Sequence, residues 1–402
     1  MDMQKTLSDV VITGIGIVTC HGTGKEPHLS LLTADKSGVP PVDAERFKPY
    51  PIHPMPEIDW SQQIAKRGDQ RQMENWQRLG VYAAGLALDD AGLKDKAEAC
   101  ASMDMIVAAG GGERDVNVDT IIVSEGLKSN DRERLVNAKL TTELRPTLFL
   151  AQLSNLMAGN ISIVHKVTGS SRTFMGEEAA GISAIETAFA RIRAGQSTHS
   201  LVGGAFVADR DDIFLLVEGA QAHAQNEWQP LWQRENGAGG GVIFGTIGAF
   251  LVLESRANAE ARGAHVYATI NAIEGDRGAR AEGALEHRLE RLSRAMGDGA
   301  EDVLILSGAS GLKDITAREK QVLQKAFPKG ALRGYGGMTG HGLEAQFPLG
   351  LALAALALDA KAVVPAFDAG AESPMNKPAS QAIVTTVGYG RAEGMARLSA
   401  EA

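Results

Sequence analysis

A carboxylate, a histidine and a glycine-rich turn are the residues of this sequence best placed to do chemistry. Glu178 opens a stretch in which Ile182, Ile185, Phe189 and Ile192 recur at helical spacing before Gly195 stops it. A carboxylate there sits at the positive end of a helix dipole, which keeps it ionised. An ordinary helix-start glutamate is the plain alternative to a working one. His341 stands in GMTGH (337–341), and Tyr389 in GYGRAE (388–393). A lone histidine in a glycine turn is more often structural; its other use is to polarise a carbonyl. The two thiols are Cys20, just after a strand-like run, and Cys100, at the end of a charged helical segment. Both read as structural or exposed groups.

These residues need a frame. Short β-branched runs ending in glycine recur at 10–16, 105–112, 200–204, 303–311 and 383–390, each reading as a buried strand that leaves through a turn. Alanine-rich amphipathic segments lie between them, at 76–91, 178–194, 316–327 and 341–358. Buried strands alternating with helices predict an α/β fold with sheets covered on both faces. A polar, interrupted stretch at 113–150 suits a cap or insertion. The pattern divides into two fused halves, 1–245 and 246–402, without a Pro- or Ser-rich linker.

The 402 residues carry 49 Asp+Glu against 40 Lys+Arg, a net charge of −9. That balance argues against general nucleic-acid binding, while leaving room for a local basic patch toward an acidic partner. Two cysteines make neither a disulfide framework nor a metal cluster, so a reducing, cytoplasmic setting is expected. The first residues lack a signal-peptide pattern, and the apolar run 347–358 is too short to span a bilayer.

The order of segments is specific. VVITGIGIVTCHG (10–22), RQMENWQRLGVYAAGLALDDAGL (71–93), GAFLVLESRANAEARGAHVYATI (248–270), GMTGH and GYGRAE follow one another in register. Together they resemble the β-ketoacyl-acyl-carrier-protein synthases, over nearly the whole chain. The resemblance implies a thiolase-like, five-layer αβαβα fold with two pseudo-symmetric halves.

It also implies roles. An ungapped count back from Gly195 and 202–204 places Glu178 where these enzymes carry their nucleophilic cysteine. One of their two histidines falls near Gly308, in LSGASGLKDI (306–315), and is lost; the other is kept as His341. A lysine usually five residues before the latter is replaced by Gly336. Tyr389 takes the place of the gating aromatic, whose backbone N–H helps form the oxyanion hole. Arg391 and Glu393 replace Gly and Asn in that turn, and Arg391 is either an ion-pair partner of Glu178 or a surface arginine.

A ketosynthase-like chain without its cysteine resembles the chain-length-factor subunits, which pair with an active synthase. RPTLFLAQLSNLMAGN and GSSRTFMGEEAAG give a narrower likeness to synthase-like proteins of α-proteobacterial clusters that make very long acyl chains for lipid A. The implied partners are an acyl carrier protein and either a second copy or a cysteine-bearing paralogue, paired across a strand at 169–174. No cofactor or metal is implied. The expected function is that of a non-condensing subunit of fatty acid biosynthesis. The alternative is an enzyme, a 3-oxoacyl-carrier synthase or malonyl-carrier decarboxylase, that uses Glu178 and His341.

Overall fold

The computed structural model describes residues 8–34, 38–297 and 303–401. Among the described residues eleven strands form one mixed sheet: β1 Val10–Thr19, β2 Gly22–Thr23, β3 Asp104–Ala109, β4 Ser171–Met175, β5 His199–Phe206, β6 Ile247–Ser255, β7 Ala268–Arg277, β8 Val303–Ser307, β9 Ala331–Gly334, β10 Gln381–Val387 and β11 Ala392–Ser399. Their order is β4-β3-β5-β6-β1 followed by β7-β11-β10-β8-β9, with β2 a short hairpin partner of β1.

The two five-strand sets repeat one pattern. In the first, β3 pairs in parallel with β4 and β5, then β6 runs antiparallel to β5 and β1. In the second, β8 pairs in parallel with β9 and β10, then β11 runs antiparallel to β10 and β7. The sets meet where Val10–Ile12 of β1 lies antiparallel to Ala268–Ile270 of β7. The fold is thus α/β and thiolase-like. The counterpart of β1 is β7, and the counterpart of β8 is β3. Strand β6 lies at the same place in the first set as β11 in the second.

Helices sort into three layers by the faces they cover. Asn75–Asp90 and Leu156–His165 cover the outer face of the first set, with Trp76, Leu79, Tyr82, Met157 and Ile161 packed on Met105, Val107, Leu201 and Phe250. Ala284–Ala295 and Ile315–Ala326 cover the second set through Leu285, Leu289, Leu292, Val322 and Leu323. Between the sets lie Glu178–Arg193 and Gln346–Asp359, each packed against strands of both halves. From Gln346 to Leu358 every residue is buried, the signature of a helix apolar all round and enclosed by protein. The five layers follow from that enclosure. Among the described residues no helix is long and apolar enough to cross a membrane.

The stretch read as an interrupted cap is helical: Val116–Gly126, Arg132–Thr142 and Pro146–Ala151. Asp115 and Asp131 cap the first two, each accepting the backbone N–H three residues on. The segment read as one helix from 341 begins only at Gln346, after a 3-10 turn at Leu343–Ala345, which leaves His341 on a loop.

Candidate active site

Strand β4 hands the chain to the central helix through Gly176, whose φ of 147° is a conformation that glycine favours. Glu177 then caps and Glu178 starts the helix, fully inside the protein at 1% exposure. His341 arrives from the other side at 0% exposure. Its N–H donates to Ile243 O and its carbonyl accepts from Gly245 N, which pins the loop to the 242–246 segment. His341 Nε2 lies 2.6 Å from Glu178 Oε1. Tyr389 N–H donates to the same oxygen at 3.2 Å.

Burial pushes the Glu178 carboxyl up. The His341 hydrogen bond and charge, with the N–H groups of Glu178 and Tyr389, outweigh that and hold it below the usual carboxylate range. The group is therefore a carboxylate, and His341 Nε2–H donates to it. Next to it, burial and the Glu178 charge raise Glu177, which accepts from the Tyr389 hydroxyl at 3.0 Å. Tyr389 thus closes over the pair by both its backbone and its ring.

Glu178, His341 and Tyr389 meet as one cluster. Position 308 is different. A Cβ on Gly308 would come 2.3 Å from the Tyr335 hydroxyl and 3.1 Å from Gln346 Cγ, so the space for a histidine is already filled. A Cβ on Gly336 would lie 2.5 Å from Ala309 O, which excludes a lysine there without backbone movement. Arg391 is exposed and makes no ion pair with Glu178; its charge reaches Glu177 instead. Glu393 is buried, and Arg280 and Arg288 both bind it.

Both thiols are enclosed. Burial pushes Cys20 up to about 12, and its Sγ donates to Met338 O at 3.6 Å. Cys100, raised by burial and then by Asp95, donates to Leu93 O at 3.3 Å. Neither is a thiolate at neutral pH.

Two further glutamates belong to the neighbourhood and were not singled out from sequence. Glu344 is buried, its Oε1 accepting from Gly110 N at 2.8 Å; burial pushes it up to about 8. Glu319 accepts from Ser307 Oγ and Thr385 Oγ1, and burial pushes it up to about 7. A charged residue inside the otherwise apolar run HGLEAQFPLG was the available signal for the first.

The sequence model of the β-ketoacyl synthase N-terminal domain matches residues 7–259. The chain belongs to the β-ketoacyl synthase family. Within that family it is 27% identical, over 79% of its length and 77% of the other's, to the actinorhodin polyketide β-ketoacyl synthase 2 of Streptomyces coelicolor. It is 24% identical to the 3-oxoacyl-[acyl-carrier-protein] synthase 2 of Vibrio cholerae, over 65% of this chain and 61% of that one. The fold of this synthase relative superposes on the ishigamide ketosynthase/chain length factor with a TM-score of 0.79, at 20% identity, covering 98% of this chain and all of the other. The motifs read from sequence thus belong to a real ketosynthase frame, in which a carboxylate begins the central helix.

One consequence is testable at Gly388. A Cβ there would stand 2.6 Å from the Glu178 carboxyl. Gly388→Ala is expected to lower stability by about 1–3 kcal/mol, as overpacking does, read as a lower urea midpoint. An unchanged midpoint means that the turn and the Glu178–His341 pair are not in contact.

Proposed function

We propose that this chain is a non-condensing ketosynthase-type subunit. It pairs with a cysteine-bearing synthase and helps to shape the channel in which a carrier-bound acyl chain grows. The observation that carries the proposal is the Glu178–His341 contact. A buried carboxylate holds the remaining histidine and the gate N–H, so the groups that would serve an acyl intermediate are engaged with each other. The curated relatives, named as a polyketide synthase component and a 3-oxoacyl-[acyl-carrier-protein] synthase, support an acyl-carrier protein as a partner. We assign the growing chain to the fatty acyl class. The narrower likeness to lipid A clusters gains no support from the names of these relatives.

Pairing fits the surface. Strand β4 ends the sheet, hydrogen-bonded on one side to β3, and its outer residues are exposed. Met175 on this strand, Ile163 on the neighbouring helix, and Leu153, Val123, Leu127 and Leu140 of the cap region are exposed apolar side chains. An open strand edge with apolar neighbours favours association.

A second reading keeps the chain as an enzyme, because a carboxylate and an imidazole 2.6 Å apart form an acid–base pair. It has to overcome repulsion between Glu178 and a malonyl carboxylate or an enolate. One experiment separates the two. Incubated with acyl-carrier thioesters, the purified chain is expected to show no acyl adduct by intact mass. Added to its cysteine-bearing partner, it is expected to change product length. An adduct at Glu178, Cys20 or Cys100, or a turnover by the chain alone that Glu178→Gln abolishes, decides for the enzyme. A polyketide product from the reconstituted pair overturns the fatty acyl assignment.

A further inference from the structure

The peptide group between Gly388 and Tyr389 is gripped at both ends. Its N–H donates to Glu178 Oε1 at 3.2 Å, and its carbonyl accepts from Arg280 Nη2 at 2.9 Å. Arg280 is fixed in turn: its Nη1 contacts Glu393, which Arg288 holds through two hydrogen bonds of 3.0 Å each. From the outer helix inward the sequence is Arg288, Glu393, Arg280, the peptide, Glu178 and His341. Charges alternate along it, and the peptide dipole fits the alternation, its oxygen toward the guanidinium and its N–H toward the carboxylate. Arg280 lies at residue 280 and its targets at 388 and 393, so the contact joins the β7–helix connection to the gate turn.

We infer that Arg280 is the positioning residue of the gate: by binding the Gly388 carbonyl it orients and polarises the peptide whose N–H serves Glu178. Three observations carry this. Glu393 stands at 0% exposure, so its charge requires cationic partners, which Arg280 and Arg288 supply. Gly388 leaves no room for a side chain beside Glu178, so the turn can approach only as bare backbone. Burial, then the neighbouring Arg288 charge, lowers Arg280 only to about 10, so it remains a cation at neutral pH and faces Glu178 as one. A hydrogen bond to a charged group at one end of a peptide strengthens the bond at its other end. The inference stands on geometry and holds whether or not the chain condenses acyl groups.

The test reads the Tyr389 amide directly. The chain has five tyrosines, so selective 15N-tyrosine labelling gives five backbone amide signals, and Tyr389→Phe assigns the one in question. In Arg280→Gln the Tyr389 amide is expected to exchange with solvent about 10- to 100-fold faster, relative to the other tyrosine amides, the factor carried by a hydrogen bond to a charged group. Arg280→Lys, which keeps the charge but not the two-way grip, is expected to fall between and keeps the test open if the glutamine variant fails to fold. Arg288→Gln loses its bonds to Glu393 but not the Gly388 contact. It is expected to lower the urea midpoint while leaving the relative Tyr389 rate unchanged. Unchanged Tyr389 exchange in both Arg280 variants overturns the inference. So does an Arg288→Gln effect as large as that of Arg280→Gln, which makes the network a general brace.

Discussion

The contributions of Glu319 and Glu344 to stability are expected to fall as pH rises from about 5 to about 8, by about 3 kcal/mol and about 5 kcal/mol. Both carboxyls are buried and have folded-state values raised to about 7 and about 8 from an ordinary 4.5. Above 4.5 the unfolded chain ionises them while the native state keeps its protons. The native state then binds more protons than the unfolded state, so the slope of unfolding free energy against pH is negative. The loss is complete near pH 7 for Glu319 and near pH 8 for Glu344.

Glu178 acts with the opposite sign. Its carboxyl is held low, so its contribution is present above 4.5 and disappears as acid protonates it. Buried His28, His53 and His165, lowered by burial from 6.5 to about 4, 3 and 4, likewise lose stability as pH falls below 6.5, so the glutamate part is read as the difference between wild type and variant. Urea unfolding at pH 5 and pH 8.5 measures it. Glu344→Gln, which keeps the shape and removes the titration, is expected to raise the pH 8.5 midpoint relative to the pH 5 midpoint, and Glu319→Gln to do so by a smaller amount. A pH dependence untouched by either variant would falsify the assignment of proton-bearing glutamates to these positions.

The sequence revealed the frame where burial dictates composition. The runs at β1, β3, β5, β8 and β10 are β-branched and enclosed on both faces, so their character survives in the letters. Strand β7 was harder to see, because ATINAIEGDR alternates in burial and carries charge. Glu178, His341 and Tyr389 were legible through ordered motifs, since each keeps a fixed distance from a glycine turn. Arg280 and Arg288 were not. Their region, GDRGARAEGALEHRLE, reads as a solvated charged loop and helix, and the carboxylate that draws both inward lies at 393. Tyr335 was hidden for the same reason. Only three dimensions reveal that its hydroxyl fills the space beside Gly308.

That filled space sets the largest expected loss of function. Glu178→Cys puts a thiol at the helix start, where the dipole and the Tyr389 N–H favour a thiolate, and intact mass is expected to show slow acylation. Condensation by this variant is expected to stay undetectable. Among the described residues His341 is the histidine bonded to position 178, and each missing oxyanion donor takes about 10²–10³-fold from turnover. Adding Gly308→His to the same chain is expected to fail as well, because the new Cβ meets the Tyr335 hydroxyl at 2.3 Å and its ring carbon at 2.7 Å. The variant should unfold at lower urea and gain no activity. Only with Tyr335 also shortened to alanine does the histidine have a place to stand. The triple variant Glu178→Cys, Gly308→His, Tyr335→Ala is therefore the form in which condensation is expected to return. Condensation by Glu178→Cys alone, at a rate within tenfold of the triple variant, means that the second histidine was never limiting and that the Glu178 carboxylate alone had closed the route.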